Sequence, residues 1–192
     1  MSSESLRLQI VETGRTLLRS GLVAGTSGNV SARDGDHVLI TPASVPYDEI
    51  GSADLVTLTL DGQVVGGECE PSSERRVHLA IYAARPEALA IVHSHSVHAT
   101  AWSFLGDPLD LDTEELLHAA GGVVRCAAHG DSGSDELARS AVAALEGRRA
   151  VLLERHGVVA FATSPARALD VCAVVERQAE VAWLLRRHGA LP

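Results

Sequence analysis

The chain of 192 residues contains no lysine: all 16 basic side chains are arginine. That absence excludes a lysine Schiff base, lysine-held pyridoxal phosphate and phosphate binding by a P-loop lysine. Aromatic residues are scarce, two each of Phe, Trp and Tyr, and nothing interleaves aromatic with basic side chains as single-stranded nucleic-acid binding requires. Positive charge is in the minority, 16 against 25 acidic residues for a formal net charge of −9, which argues against nucleic acid or an anionic membrane as principal partner. Cys69, Cys126 and Cys172 are odd in number and lack C-x-x-C spacing. Neither a disulfide framework nor a cysteine-based zinc site is expected, and a reduced, cytoplasmic setting is. No apolar run approaches the roughly 20 residues of a membrane span. The stretch MSSESLRLQIVETGRTLL places Glu4, Arg7, Glu12 and Arg15 among its apolar positions, so it reads as an amphipathic helix rather than a signal peptide.

What is present is an alternation of helix and strand signals without repeats, low-complexity segments or a long linker. The length favours one domain, residues 1–192, large enough to bury about two-thirds of its unfolded surface, so a metal site would serve chemistry rather than folding. A first helix is expected from about Ser5 to Ser20, stopping at Gly21. Hairpins are expected through Asp34-Gly35 and Asp61-Gly62, because Asp-Gly tolerates positive φ. Further helices are expected over about Ser73 to Ala84, Ala99 to Leu105, Thr113 to Ala120 and Asp135 to Leu145, with strands in ALAIVH, VVRCAA and AVLLERHGVVAFA. The last helix is the clearest: Ser164 caps it, Pro165 takes its first position, Arg186 and Arg187 fill its last turn and Gly189 stops it. The class is α/β, with helical layers around a mixed or antiparallel sheet.

The chemistry concentrates in AIVHSHSVHAT. Side chains two apart on a strand share a face, so His93 and His95 would present nitrogens to one point, the spacing of two metal ligands. Two core histidines bonded to backbone are the alternative. His98, beyond the strand, reads as a supporting residue, and His37, His118, His129 and His188 stand in polar or terminal contexts. His156, followed by Gly157, interrupts another buried strand pattern, where glycine permits a bulge or close backbone approach. Three imidazoles with an open fourth position describe a catalytic zinc site, which a carboxylate could complete. Glu74 in PSSERRVH is the candidate carboxylate; Ser72 and Ser73 beside it, at a helix start, suit an anion such as phosphate. The same residues would also serve as caps and dipole partners of that helix.

In this order, GTSGNVS, LITPASVPY, PSSERRVHLAIY, AIVHSHSVHATA, HAAGG and LLERHGVVA resemble the class II aldolase/adducin family, in its fuculose-phosphate-aldolase-like branch, from about residue 5 to 185. The resemblance implies a three-layer α/β/α fold with a central, largely antiparallel sheet. It implies one Zn2+, or another divalent transition metal, per subunit, held by His93, His95 and His156, with Glu74 as essential acid–base and as a ligand when substrate is absent. The family's phosphate pocket falls on Gly28, Asn29, Ser44, Ser72 and Ser73. The implied partner is a phosphorylated ketose or aldehyde, and the implied assembly a homotetramer with active sites between subunits. The implied reaction is reversible cleavage of a ketose 1-phosphate to dihydroxyacetone phosphate and an aldehyde through a metal-stabilised enediolate. Without lysine, the electron sink for that chemistry has to be a divalent ion. A partly desolvated Glu74 is expected to have its proton affinity raised.

The chain departs from the family pattern at three places. TPAS has Ala43 and Ser44 where the family carries TPTG or TPSG. Glu115 stands where the aldolase branch has a tyrosine for the aldehyde oxygen, which makes it the candidate acceptor-side residue. No segment after RRHGALP corresponds to the branch's second tyrosine. These departures keep open other family reactions, namely pentulose-phosphate epimerisation, ribulose-1-phosphate-type dehydration or decarboxylation of a keto-sugar-acid phosphate. More remote readings are a non-catalytic adducin-like interaction module and, from two histidines with a carboxylate, a non-haem iron(II) oxygenase.

Overall fold

Strand residues that alternate in sequence divide between two cores in the computed structural model, which describes residues 3–191. Leu39 joins one apolar cluster while Val38 and Ile40 join the other, and Val92 and Ile91 divide in the same way. This period of two is what a sheet covered on both faces demands.

The sheet is built from β1 (Asn29–Asp34), β2 (His37–Ile40), β3 (Val56–Thr59), β4 (Val64–Gly66), β5 (Ala90–Ser94), β6 (Cys126–Ala127), β7 (Ala150–Leu153) and β8 (Gly157–Ala162). Their spatial order is β4-β3-β2-β1-β5-β8-β7-β6. Among the described residues every neighbouring pair is antiparallel except β6 with β7. The helices are α1 (Ser3–Arg19), α2 (Arg75–Ala84), α3 (Val97–Ser103), α4 (Glu114–Ala120), α5 (Asp135–Ala144) and α6 (Pro165–Arg187). One face of the sheet packs on α1, α3, α4 and α6 through Ile10, Leu17, Trp102, Leu116, Val175 and their neighbours. The other packs on α2 and α5 through Val77, Ile81, Leu137 and Ala141. The fold is therefore α/β in three layers with a largely antiparallel sheet, as the sequence indicated.

The last helix follows its signals closely. The Ser164 side chain accepts from Arg167 N–H, Pro165 opens the helix and Gly189 takes φ +70°, and such an N-cap contributes about 1 kcal/mol. Several expected boundaries shift for identifiable reasons. The first hairpin turns on Gly35-Asp36, since Asp34 still pairs with His37. α2 begins at Arg75 rather than Ser73, leaving Glu74 as its N-cap. α3 starts two residues early, because Glu176 of α6 accepts from the backbone N–H groups of His98 and Ala99 at 2.9 and 2.8 Å and so fixes its first turn. The strand expected in VVRCAA shrinks to Cys126–Ala127. AVLLERHGVVAFA is not one interrupted strand but a hairpin, β7 and β8 joined by a turn that contains His156, with Arg155 at φ +59°.

Candidate metal centre

The middle of the sheet carries the site. β5 lies between β1 and β8, with His93 opposite Asn29 on one side and Val159 on the other. Its terminal carbonyls are approached so closely that glycine is required on both flanks. A Cβ on Gly28, which has φ +76°, would sit 2.6 Å from the His93 carbonyl oxygen, and a Cβ on Gly157 would collide with that of Ser94. The expectation for Gly157 is met as close approach rather than as a bulge.

His93 is buried on the α2/α5 face, and its Nδ1–H donates to the Val158 carbonyl at 3.0 Å, which leaves Nε2 as the nitrogen facing outward. His95 stands one residue beyond the end of β5, not on the strand, yet its Nε2 lies 2.8 Å from that of His93. His156 enters from the β7–β8 turn. The three rings are mutually edge-to-face with centroids 4.7 to 4.8 Å apart. Glu74 closes the group from the start of α2, with Oε2 3.1 Å from His93 Nε2 and Oε1 3.0 Å from His156 Nε2. The ligand atoms of these four residues all lie within 4.8 Å of one another.

This donor set fits a divalent transition metal. Imidazole lone pairs aimed at each other across 2.8 Å repel unless a proton or a cation stands between them, and a carboxylate beside them adds the charge such a cation needs. Burial alone pushes the Glu74 carboxyl pKa up, but the charges of His93 and His156 and their hydrogen bonds outweigh it and hold the group well below the usual carboxylate range. Burial, followed by repulsion from His93 and His156, pushes His95 down to about 3. Burial also opposes charge on His93, yet Glu74 more than compensates and raises its pKa.

The cluster opens onto a polar cavity of about 210 Å³ whose lining includes Gly28, Asn29, Ser44, Ser72, Ser73 and Ser132. Ser44 is exposed and left-handed at φ +61°, a conformation that glycine adopts more readily than serine. Ala43 N–H donates to the Glu70 carbonyl, and Ser72 N–H to that of Thr41, so these two amides are already committed to the loop. The Ser72 hydroxyl accepts from Glu74 N–H at 3.3 Å. Asn29 lines the cavity as well, and its carboxamide donates from Nδ2 to Glu74 Oε2 at 2.9 Å and accepts from His78.

Glu115 is not brought to this cavity within the chain. It lies exposed on α4, where it accepts from Gln178 at 2.7 Å. His98 is occupied with Glu176, in keeping with a supporting role. His37, His118, His129 and His188 are exposed and away from the cluster. Two participants carried no expectation from sequence. Ser132, in the loop before α5, donates to Glu74 Oε1 at 3.0 Å. His78, on α2, is buried behind Asn29 and Ser31. The Glu-x-x-x-His spacing, one helical turn from Glu74 to His78, was the available signal for the second.

Known proteins share both the sequence and the fold. The model of the class II aldolase and adducin N-terminal domain matches residues 8–183. An L-fuculose phosphate aldolase of Escherichia coli O6:H1 is 38% identical over 181 residues, spanning 94% of this chain and 84% of that protein. A 5-deoxy-D-ribulose 1-phosphate aldolase of Bacillus thuringiensis serovar kurstaki is 38% identical over 185 residues, 95% of this chain and 86% of its own length. A solved L-fuculose 1-phosphate aldolase superimposes with a TM-score of 0.94 at 36% identity, covering 98% of this chain and 90% of that one. Carrying the fold, the histidine–glutamate cluster and these similarities along nearly its whole length, the chain belongs to the class II aldolase and adducin N-terminal domain family.

Proposed function

We propose that this protein is a metal-dependent aldolase that reversibly cleaves a ketose 1-phosphate into dihydroxyacetone phosphate and an aldehyde. The observation that carries the reading is the convergence of His93, His95, His156 and Glu74 at the wall of a polar cavity lined by Ser44, Ser72 and Ser73. The relatives named above are aldolases of L-fuculose phosphate and 5-deoxy-D-ribulose 1-phosphate, two ketose phosphates that differ in their aldehyde portions.

The three imidazoles would hold the metal, with Glu74 as fourth ligand before substrate enters. Zinc is the proposed ion, because an all-nitrogen and carboxylate set with an exchangeable position suits it. When bound, it supplies Lewis-acid charge for the substrate's carbonyl and neighbouring hydroxyl oxygens. Glu74 takes and returns a proton at the carbon next to the carbonyl, the acid–base role open to a carboxylate held beside that carbon. The Gly28 turn and the Ser44, Ser72 and Ser73 hydroxyls hold the phosphate, so binding far from the reacting carbon fixes the reacting atoms.

Glu115 is proposed to act at the aldehyde end of a neighbouring subunit's site, in a homotetramer. Val97, Phe104 and Leu105 on and after α3, Leu117 on α4 and Leu184 on α6 are exposed apolar side chains on helices that pack together, and they suit subunit contact. Residues 1–192 are proposed to form one catalytic domain working in the cytoplasm. The free state of Cys69, Cys126 and Cys172 agrees with that setting, and among the described residues no helix is long and apolar enough to cross a membrane.

The test is incubation of zinc-loaded protein with dihydroxyacetone phosphate and a panel of aldehydes, with detection of ketose phosphate. Product with at least one aldehyde is expected. No product with any aldehyde, together with turnover of a pentulose phosphate or keto-acid phosphate, overturns the assignment.

A further inference from the structure

Glu74 is backed by polar groups that the proposed reaction does not use. Ser31, His78 and Tyr82 are at most 1% exposed, and none of them lines the cavity. They form one chain of hydrogen bonds with Asn29, and that chain ends on the carboxylate. Tyr82 Oη lies 2.8 Å from Ser31 Oγ, and Ser31 Oγ lies 2.6 Å from His78 Nδ1. His78 Nε2 is 2.5 Å from Asn29 Oδ1, and Asn29 Nδ2 is 2.9 Å from Glu74 Oε2.

The direction of every bond in this chain is determined. An ionised carboxylate only accepts, so Asn29 must offer it the amide N–H and turn its carbonyl oxygen to His78. That oxygen also only accepts, so the proton of His78 is on Nε2. Burial, then the neighbouring His93 charge, push His78 down to about 3, so its ring is neutral and Nδ1 is an acceptor. Ser31 therefore donates to Nδ1, and Tyr82 donates to Ser31. A buried polar chain of this kind is expensive unless every member is satisfied, and here each one is.

The two carboxylate oxygens are thus held differently. Oε2 faces the buried chain, whereas Oε1 faces the cavity and receives the hydroxyl of Ser132 at 3.0 Å. The Ser132 loop is itself pinned to α2: Arg76 donates to the Gly133 carbonyl at 2.7 Å, and Gly133 comes so near the Ser73 carbonyl that a Cβ there would be 2.5 Å from its oxygen. We propose that the Tyr82–Ser31–His78–Asn29 chain is a positioning device for Glu74, presenting one fixed N–H donor to Oε2 and so directing Oε1 toward the substrate. The inference rests on the aldolase reading, because it assigns the orientation of the group that reading uses for proton transfer.

The experiment compares wild type with His78→Leu, which deletes the donor, and His78→Gln, whose amide N–H can replace it. Metal content is measured alongside solvent-deuterium exchange into dihydroxyacetone phosphate and cleavage of ketose 1-phosphate. His78→Leu is expected to lose roughly tenfold or more in kcat with KM and metal content kept, and His78→Gln to recover to within about threefold of wild type, the scale of other residues that orient metal-site ligands. A folded, metal-replete His78→Leu with wild-type kcat overturns the chain's role, and so does a loss of activity that only tracks loss of metal. Imidazole nitrogen NMR of the metal-free wild-type protein decides the matter if His78→Leu does not fold: a proton on Nε2 alone is expected, and one on Nδ1 overturns the proposal. Absence of exchange and cleavage in wild type overturns the aldolase reading and the chain's role with it, whereas wild-type exchange with an unaltered His78→Leu overturns the chain alone.

Discussion

The two sides of the cavity are built on opposite principles. On the metal side, His93, His95, His156 and Glu74 come from a strand, its exit, a hairpin turn and a helix cap, and side-chain functional groups define the geometry. On the side proposed to take the phosphate, Gly28, Ala43, Ser44, Ser72 and Ser73 are small and lie in loops, with Gly28 and Ser44 at positive φ. The first side depends on which atoms are present, the second on which dihedral angles are permitted. A substitution on the metal side should therefore change chemistry with modest cost to folding, and one on the loop side the reverse.

The largest effect is expected at His95. His95→Ala should lose bound metal and with it all detectable turnover, well beyond what loss of an orienting partner causes; elemental analysis and steady-state kinetics check both. Next is Glu74→Gln, which should keep substantial metal while losing about 10²- to 10⁴-fold in kcat, the usual worth of a positioned acid–base group; full activity would contradict the proton-transfer role. Gly28→Ala crosses to the loop side. A Cβ in the left-handed region and 2.6 Å from the His93 carbonyl should destabilise the protein by about 2 kcal/mol or more, read from urea unfolding.

A smaller effect follows from His78, whose folded pKa lies near 3 against the ordinary 6.5. Between those values the unfolded chain binds more protons, so this residue's contribution falls as pH is lowered from about 6.5 toward 3 and is fully present above 6.5. Replacing it with Gln should flatten the pH dependence of metal-free stability by up to about 1.4 kcal/mol per pH unit in that window. The smallest is Ser44→Gly, which should stabilise by about 1 kcal/mol by relieving the left-handed serine. A rise in KM for the phosphorylated substrate in the same variant would show that its hydroxyl is used.

Legibility in the sequence follows the same division. His93 and Glu74 could be found because a ligand on a strand end and a carboxylate at a helix start leave local patterns. His156 is legible by residue type but not by place, because an apolar run with one interruption looks alike whether it is one strand or two strands about a tight turn. His78 is illegible for a different reason. Its partners Asn29 and Ser31 are on β1, and only the antiparallel pairing of β1 with β5 carries them under α2. Ser132 stands in an exposed loop whose composition indicates a turn and nothing more. The two imidazoles within about 3 Å of the Glu74 oxygens are likewise a fact of geometry that leaves no local pattern.

The central position of β5 also has a consequence for the order of events during folding. Its two neighbours, β1 and β8, come from opposite ends of the chain, and the turn that brings His156 becomes a neighbour of His95 only after β8 has docked on β5. Such distant pairings form slowly and late. An ion added to a refolding chain would find its three imidazoles assembled only once the middle of the sheet has closed, so the onset of tight metal uptake would time that closure.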